Sequence, residues 1–232
     1  MIRVVDDPKI RIVTIDRPGR RNALTLDGLD ALSAAVREAD QPVVYLHGAG
    51  TAFCAGADLD VVAESDEESA QALATHGQRV ADDIEDAESV VVAGIDGPAR
   101  GGGVELALAC DLRVSTPDAT FAEPGVRLGI FGAWGGTARL PEIVGMGDAL
   151  DLALSGCVID ATEAHRMGLV SRVTDRPRAV ADELAANDPD ALRVIKNRIR
   201  DRSSRADQLA HEADAFGKLV AENADDIAAQ RE

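Results

Sequence analysis

The sequence predicts an α/β fold, and three features carry that expectation. Short β-rich runs bounded by turn residues alternate with segments of helical periodicity. Beyond Arg176-Pro177 the chain becomes wholly helical and charged. No linker-like stretch and no exact repeat interrupts its 232 residues, enough for one domain with a large core, or one domain plus a helical appendage.

In chain order, residues 10–15 (IRIVTI) follow Asp7-Pro8 and read as a strand. The loop 17–22 precedes a helix that Thr25 or Asp27 can cap, with Leu29, Leu32 and Val36 on one face. Residues 43–46 (VVYL) form a short buried strand, 47–56 a loop of glycine and alanine, and 64–69 (ESDEES) a solvated acidic loop before a helix over 71–84. The apolar run from Val90 to Ile95 is a buried strand broken by Asp96-Gly97-Pro98. Glycines 101, 102 and 103 open a helix carrying Val104, Leu106, Ala107 and Leu108. After a strand at 112–115, residues 121–128 read as extended and broken at Pro124, and 129–136 form a glycine-rich stretch holding the single tryptophan, Trp134. Helices over 139–144, 149–155 and 161–167 lead to a last strand at 169–173. Three striped helices then occupy 179–186, 191–200 and 206–224.

Several classes are disfavoured. No apolar run reaches the roughly 18 residues of a membrane span, and the start MIRVVDDPKI lacks an apolar signal core, so a cytoplasmic protein is expected. Cys54, Cys110 and Cys157 form no CxxC, and His47, His76, His165 and His211 show no metal-binding spacing. Neither a disulfide framework nor a metal site is expected.

The stretch 97–111 (GPARGGGVELALACD) carries chemistry. Glycines at a strand-to-helix turn let a ligand approach bare backbone N–H groups. The helix start adds orphan donors and a positive dipole end, suited to a phosphate or a developing oxyanion. Glu105 falls in the first turn. The alternative is a tight glycine turn with an ordinary N-terminal glutamate.

With 48–59 (GAGTAFCAGADL), this stretch resembles the crotonase (enoyl-CoA hydratase/isomerase) superfamily. Further matches are Arg17-Pro18 with Arg21-Asn22-Ala23-Leu24, then Phe121-Ala122-Glu123-Pro124, then Gly135-Gly136-Thr137-Ala138-Arg139-Leu140. The resemblance implies a spiral of repeated ββα units over 1–175 and a C-terminal helical trimerisation region over 176–232, giving a homotrimer or a dimer of trimers. It implies an acyl-CoA thioester as substrate, with no separate cofactor because coenzyme A is part of that substrate. The thioester oxygen would be held by the N–H groups of Ala57 and Gly102, with Glu105 as acid/base. Ala23 and Ala55 would frame the adenine, and Asp58, Leu59, Gly101, Pro124, Gly125 and Trp134 would complete the substrate site. The implied activity is of hydratase or isomerase type. Isomerisation, decarboxylation, thioester hydrolysis and non-catalytic acyl-CoA binding remain alternatives.

One departure matters most. Where a hydratase of this family carries its second glutamate, this chain has Gly125, which has no side chain to activate water or deliver a proton. Glu123 precedes it by two residues, a displacement of roughly 6.6 Å along an extended segment. It could substitute only if the chain bends at Pro124; otherwise it is a surface or ion-paired carboxylate. Trp134 either walls the acyl pocket or belongs to the core. Lys196 either reaches coenzyme A or is an exposed helix lysine. Arg113, Arg127 and Arg139 are expected to partner carboxylates.

The charge pattern sets a further constraint. Asp and Glu number 41 against 24 Lys and Arg, giving a net charge of −17, and only Lys9, Lys196 and Lys218 are lysines. No basic face outweighs that field, so nucleic acid is not an expected partner. Coenzyme A is itself an anion and needs a local basic patch. Arg17, Arg20 and Arg21 form the densest one before the motifs, and Arg20 or Arg21 is the expected phosphate contact. A carboxylate-rich surface with few lysines suits high salt, where screening acts over about 3 Å at 1 M. The melting temperature should therefore rise steadily with KCl; a flat or falling profile would remove the high-salt reading.

Overall fold

The computed structural model describes residues 1–229. The chain opens with an antiparallel hairpin of β1 (Ile2–Asp6) and β2 (Ile10–Ile15), with Asp6 opposite Arg11. The alternation of the sequence did not mark β1, because four of its five residues are exposed and it forms the sheet edge. Helix α1 (Leu26–Arg37) follows, its Gly28 N–H donated to the Thr25 hydroxyl as expected of an N-cap. Next come β3 (Val43–Gly48), the short α2 (Leu59–Ala63) and α3 (Glu67–Glu85). The acidic run is not simply a loop. Asp66 and Ser69 form a reciprocal capping box, so Glu67 and Glu68 sit at the positive end of α3.

The next turns repeat one plan. Strand β4 (Val90–Ile95) passes into β5 (Pro98–Arg100) and then α4 (Gly102–Ala109). Strand β6 (Leu112–Ser115) passes into β7 (Thr120–Ala122), a 3-10 turn (Pro124–Leu128), α5 (Gly136–Val144) and α6 (Met146–Ser155). Strand β8 (Ile159–Asp160), α7 (Ala161–Arg166) and β9 (Arg172–Val173) end the spiral. Helices α8 (Pro177–Ala185), α9 (Pro189–Arg200), α10 (Arg205–Glu222) and α11 (Ala224–Ala229) form the tail.

Two sheets result, ordered β1-β2-β3-β4-β6-β9 and β5-β7-β8. From β2 onward the large sheet is parallel, which accounts for its near-continuous apolar runs. Isolated bridges Cys54–Ala99 and Leu24–Ala57 extend the same plan to earlier turns. Each turn crosses the large sheet, steps past the small one and returns through a helix. This is the expected crotonase-type spiral of ββα units. One core lies under α1, α3 and α4 with Leu29, Ile84 and Leu106 fully buried. Tyr45, Val92 and Val114 on the other sheet face pack under Val180 and Ala181 of α8.

Lys196 corrects both readings of it. The side chain is buried, with Nζ 2.9 Å from Asp111 Oδ2 and 2.9 Å from the Ser89 carbonyl, so it neither hangs free nor points to a ligand. Arg200 joins Asp111 to Glu85, at 2.9 and 2.8 Å, and Glu85 passes the chain of charge to Arg139 at 2.6 Å. The network binds α9 to α3 and α5. Lys196→Ala should lower unfolding stability by about 3 kcal/mol, near the low end for breaking a buried pair because Arg200 still faces Asp111. It should leave coenzyme A affinity unchanged; lost affinity in a folded variant would restore the ligand role.

Candidate active site

The two expected oxyanion donors occupy equivalent places in successive turns, where the chain leaves the small sheet and enters a helix. Around Ala57 the neighbouring backbone is committed: Leu24 N–H donates to Gly56 O at 2.8 Å and Asp58 N–H to Leu24 O at 2.8 Å. Around Gly102, Gly101 N–H donates to Ala122 O at 3.0 Å, while Gly101 O accepts from Val104 and Glu105. Among the described residues, the N–H groups of Ala57 and Gly102 themselves have no acceptor. Gly56 brings the turns together. A Cβ there would lie 2.8 Å from Gly102 N and 2.9 Å from Arg100 O, at a φ of +85°.

Ala57 and Gly102 line one cavity of about 460 Å³ together with Glu105. Ala55, Leu59, Gly101, Pro124, Gly125 and Trp134 line the same cavity. Trp134 satisfies both of its readings: it is 3% exposed, packed between Gly77 of α3 and Gly102 of α4, and still faces the cavity.

Glu105 is 1% exposed, and its Oε1 accepts from the N–H of Trp134 at 2.9 Å and of Gly136 at 2.7 Å. Burial raises its pKa above the ordinary carboxylate value, while those two N–H groups and the charge of Arg139 pull it back. Its Oε1 is therefore held by two N–H groups, while Oε2 faces Gly132.

The bend required at Pro124 is present. Residues Pro124–Leu128 form a 3-10 turn instead of the expected extended segment, and Gly129 closes it at a φ of +74°. The bend buries Glu123 to 8% exposure with Oε1 unpartnered among the described residues, so it is neither a surface nor an ion-paired carboxylate. A single carbon added at Gly132 would touch both carboxyls, 2.8 Å from Glu105 Oε2 and 2.9 Å from Glu123 Oε2. Burial first, then the nearby Glu105 charge, pushes the Glu123 pKa up to about 8.

Space at Gly125 is already taken. A Cβ there would meet Phe131 Cα at 2.9 Å and Ile130 O at 3.0 Å, and Ile130 N–H donates to Gly125 O at 3.0 Å. The loop 129–133 thus fills the volume that a longer side chain would need. Gly132 and Phe131 of this loop were not singled out from the sequence. A glycine-rich stretch has no periodicity to assign its side chains, and only the pair Glu105 and Glu123 could have hinted at what must pass between them.

The remaining expected residues lie outside the cavity wall. Asp58 turns away to accept from Arg17 at 2.5 Å and Arg20 at 2.9 Å, and it caps α2 through Asp60 N–H. The Arg17 hydrogen bond comes first among the causes that hold its pKa below the usual carboxylate range. Arg20 also pairs with Asp60. Arg21 is exposed and has no carboxylate partner among the described residues, while its carbonyl accepts from Ala55 N–H at 3.0 Å. Ala23 is buried beside it, its carbonyl held by Arg17. Arg139 does partner carboxylates, Asp82 and Glu85, whereas Arg113 spends its donors on the carbonyls of Leu169 and Cys110.

Residues 7–228 match the family model described as enoyl-CoA hydratase/isomerase. The short-chain-enoyl-CoA hydratase of Clostridium acetobutylicum is 36% identical over 224 residues, covering 90% of this chain and 85% of the relative. The crotonyl-CoA hydratase of Syntrophomonas wolfei is 34% identical over 228 residues, covering 93% and 88%. The crystal structure of an enoyl-CoA hydratase from Bacillus anthracis superposes with a TM-score of 0.89 at 32% identity, covering 95% of this chain and 91% of that one. The protein is an enzyme of hydratase/isomerase type, and the chain belongs to the enoyl-CoA hydratase/isomerase family.

Proposed function

We propose that the protein stabilises the enolate of an acyl-CoA thioester, with the thioester oxygen held by the N–H groups of Ala57 and Gly102 and a proton at the α-carbon moved by Glu105. The observation that carries this reading is the convergence of two undonated N–H groups and one buried carboxylate on a single cavity. Donors fixed before the reaction stabilise a developing oxyanion without reorganising, and each is worth about 10²–10³-fold in rate. A raised pKa brings a carboxylate nearer the range useful for proton transfer at neutral pH.

The nucleotide end of the ligand falls to Arg21. Arg17 and Arg20 are engaged by Asp58, which leaves Arg21 as the arginine of this loop free to meet phosphate, with Ala23 and Ala55 beside it for the adenine. The exposed apolar residues of the tail, Ile195 and Ile199 on α9 and Leu209 and Phe216 on α10, support its reading as the trimerisation region of a homotrimer or dimer of trimers. That region is taken to run over 176–232, of which 230–232 lie outside the described residues.

Glu105→Gln should abolish turnover of both 2-enoyl-CoA and 3-enoyl-CoA, by about 10² or more, while acyl-CoA binding stays within a few-fold. Turnover at the wild-type rate would take Glu105 out of the mechanism, and binding without turnover by the wild type would make the protein an acyl-CoA-binding relative. Arg21→Ala should weaken acyl-CoA binding by about 1–3 kcal/mol at low salt and leave a pantetheine thioester unaffected. Equal losses for both ligands would show that the arginine supports the fold.

A further inference from the structure

A second, apolar cavity of about 220 Å³ lies beyond the carboxylates. It shares Glu105, Phe131 and Gly132 with the cavity that holds Ala57 and Gly102, and only this second cavity has Glu123 in its wall. Its other walls include Leu140, Pro141 and Ala149, side chains that suit an acyl tail and offer water nothing to bind. A thioester anchored at Ala57 and Gly102 therefore meets Glu105 first. Its tail can then extend into the second cavity along the residues the two share, Glu105, Phe131 and Gly132, before meeting Glu123. The order along the ligand is donors, Glu105, Glu123.

Resting on the proposed enolate chemistry, we infer that Glu123 is a second proton-transfer carboxylate, acting on the γ-carbon of an enoyl-CoA while Glu105 acts on the α-carbon. The matching reaction is the interconversion of 3-enoyl and 2-enoyl thioesters. The Cα–H bond of the 3-enoyl thioester breaks, its proton goes to ionised Glu105, and its electron pair enters the thioester to form a dienolate held by the two N–H groups. The pair then returns, C2 and C3 become the double bond, and C4 takes the proton of neutral Glu123. One proton passing from Glu105 back to Glu123 across the gap at Gly132 restores the enzyme, and nothing is oxidised or reduced. The hydrogen bonds support the division of labour. Two N–H donors on Glu105 favour its ionised form, whereas Glu123 Oε1 has no donor among the described residues. With its pKa near 8, Glu123 is the member that carries the proton at neutral pH.

The geometry also accounts for the missing glutamate at 125, whose place the loop 129–133 has filled. A carboxylate reaching the rear cavity from 123 serves a carbon further from the thioester.

The test is proton tracing with 3-hexenoyl-CoA in deuterium oxide. Wild type should place deuterium at C2 of recovered substrate and at C4 of the 2-hexenoyl-CoA formed. Glu123→Gln should cut C4 labelling and product formation by about 10²-fold or more yet retain C2 exchange, which also reports that the variant is folded. Glu105→Gln should lose both labels. C4 labelling that survives Glu123→Gln, C2 and C4 labels lost together in that variant, or wild type that exchanges C2 without ever labelling C4 would each overturn the inference. Wild type that exchanges neither position would instead overturn the enolate reading beneath it.

Discussion

A carboxylate as deeply buried as Glu105 can carry charge only if something holds that charge, and much of the site follows from that need. Trp134 and Gly136 supply the N–H groups, so the backbone from 134 to 136 must lie directly against α4. To lie there, the Trp134 ring needs room, and it finds it against Gly77 and Gly102. Arg139, one turn into α5, then faces Asp82 and Glu85 of α3 and donates to the Trp134 carbonyl at 3.4 Å. Its charge also helps keep Glu105 from rising further in pKa. The chain of ion pairs runs on through Glu85, Arg200 and Asp111 to Lys196. A tail helix thus braces the loop that holds the Glu105 carboxylate.

The spiral explains why the two donors are available. Each turn passes from an extended segment into a helix: Gly102 is the first residue of α4, with no intrahelical acceptor for its N–H, and Ala57 stands two residues before Leu59, where α2 begins. Two successive turns, stacked as closely as Gly56 and Gly102 allow, place two such orphans side by side. In most proteins an unpaired buried N–H is a cost. Here two such N–H groups, those of Ala57 and Gly102, face one cavity from successive turns.

Much of this was legible in the chain, and the reasons differ by residue. Thr25 announced a helix start, β2 showed by its alternation, and β3 and β4 by their apolar runs, because parallel strands covered on both faces have little polar sequence to hide behind. Glu105, Ala57 and Gly102 could be found from motif order, since backbone donors depend on small residues at fixed places. What escaped is non-local. Strand β1 is exposed at the sheet edge, β5 is three residues long, and the fate of Glu123 depended on one bend at Pro124. Lys196 looks like any helix lysine until Asp111, 85 residues earlier, is placed beneath it.

The same non-locality governs the chemistry at position 125. In sequence, a glycine there is a loss: one carboxylate fewer. In three dimensions it is an exchange. Without a side chain at 125, the backbone of Ile130 and Phe131 can settle onto the turn and be held there by the Ile130 N–H bond to Gly125 O. That places Phe131 and Gly132 in the walls of both cavities. A glutamate at 125 would have to push this loop away, and so could not simply be added to the present site. The identity of the second carboxylate and the path of the loop are therefore one choice, made together by a glycine, a proline and the residue that precedes it.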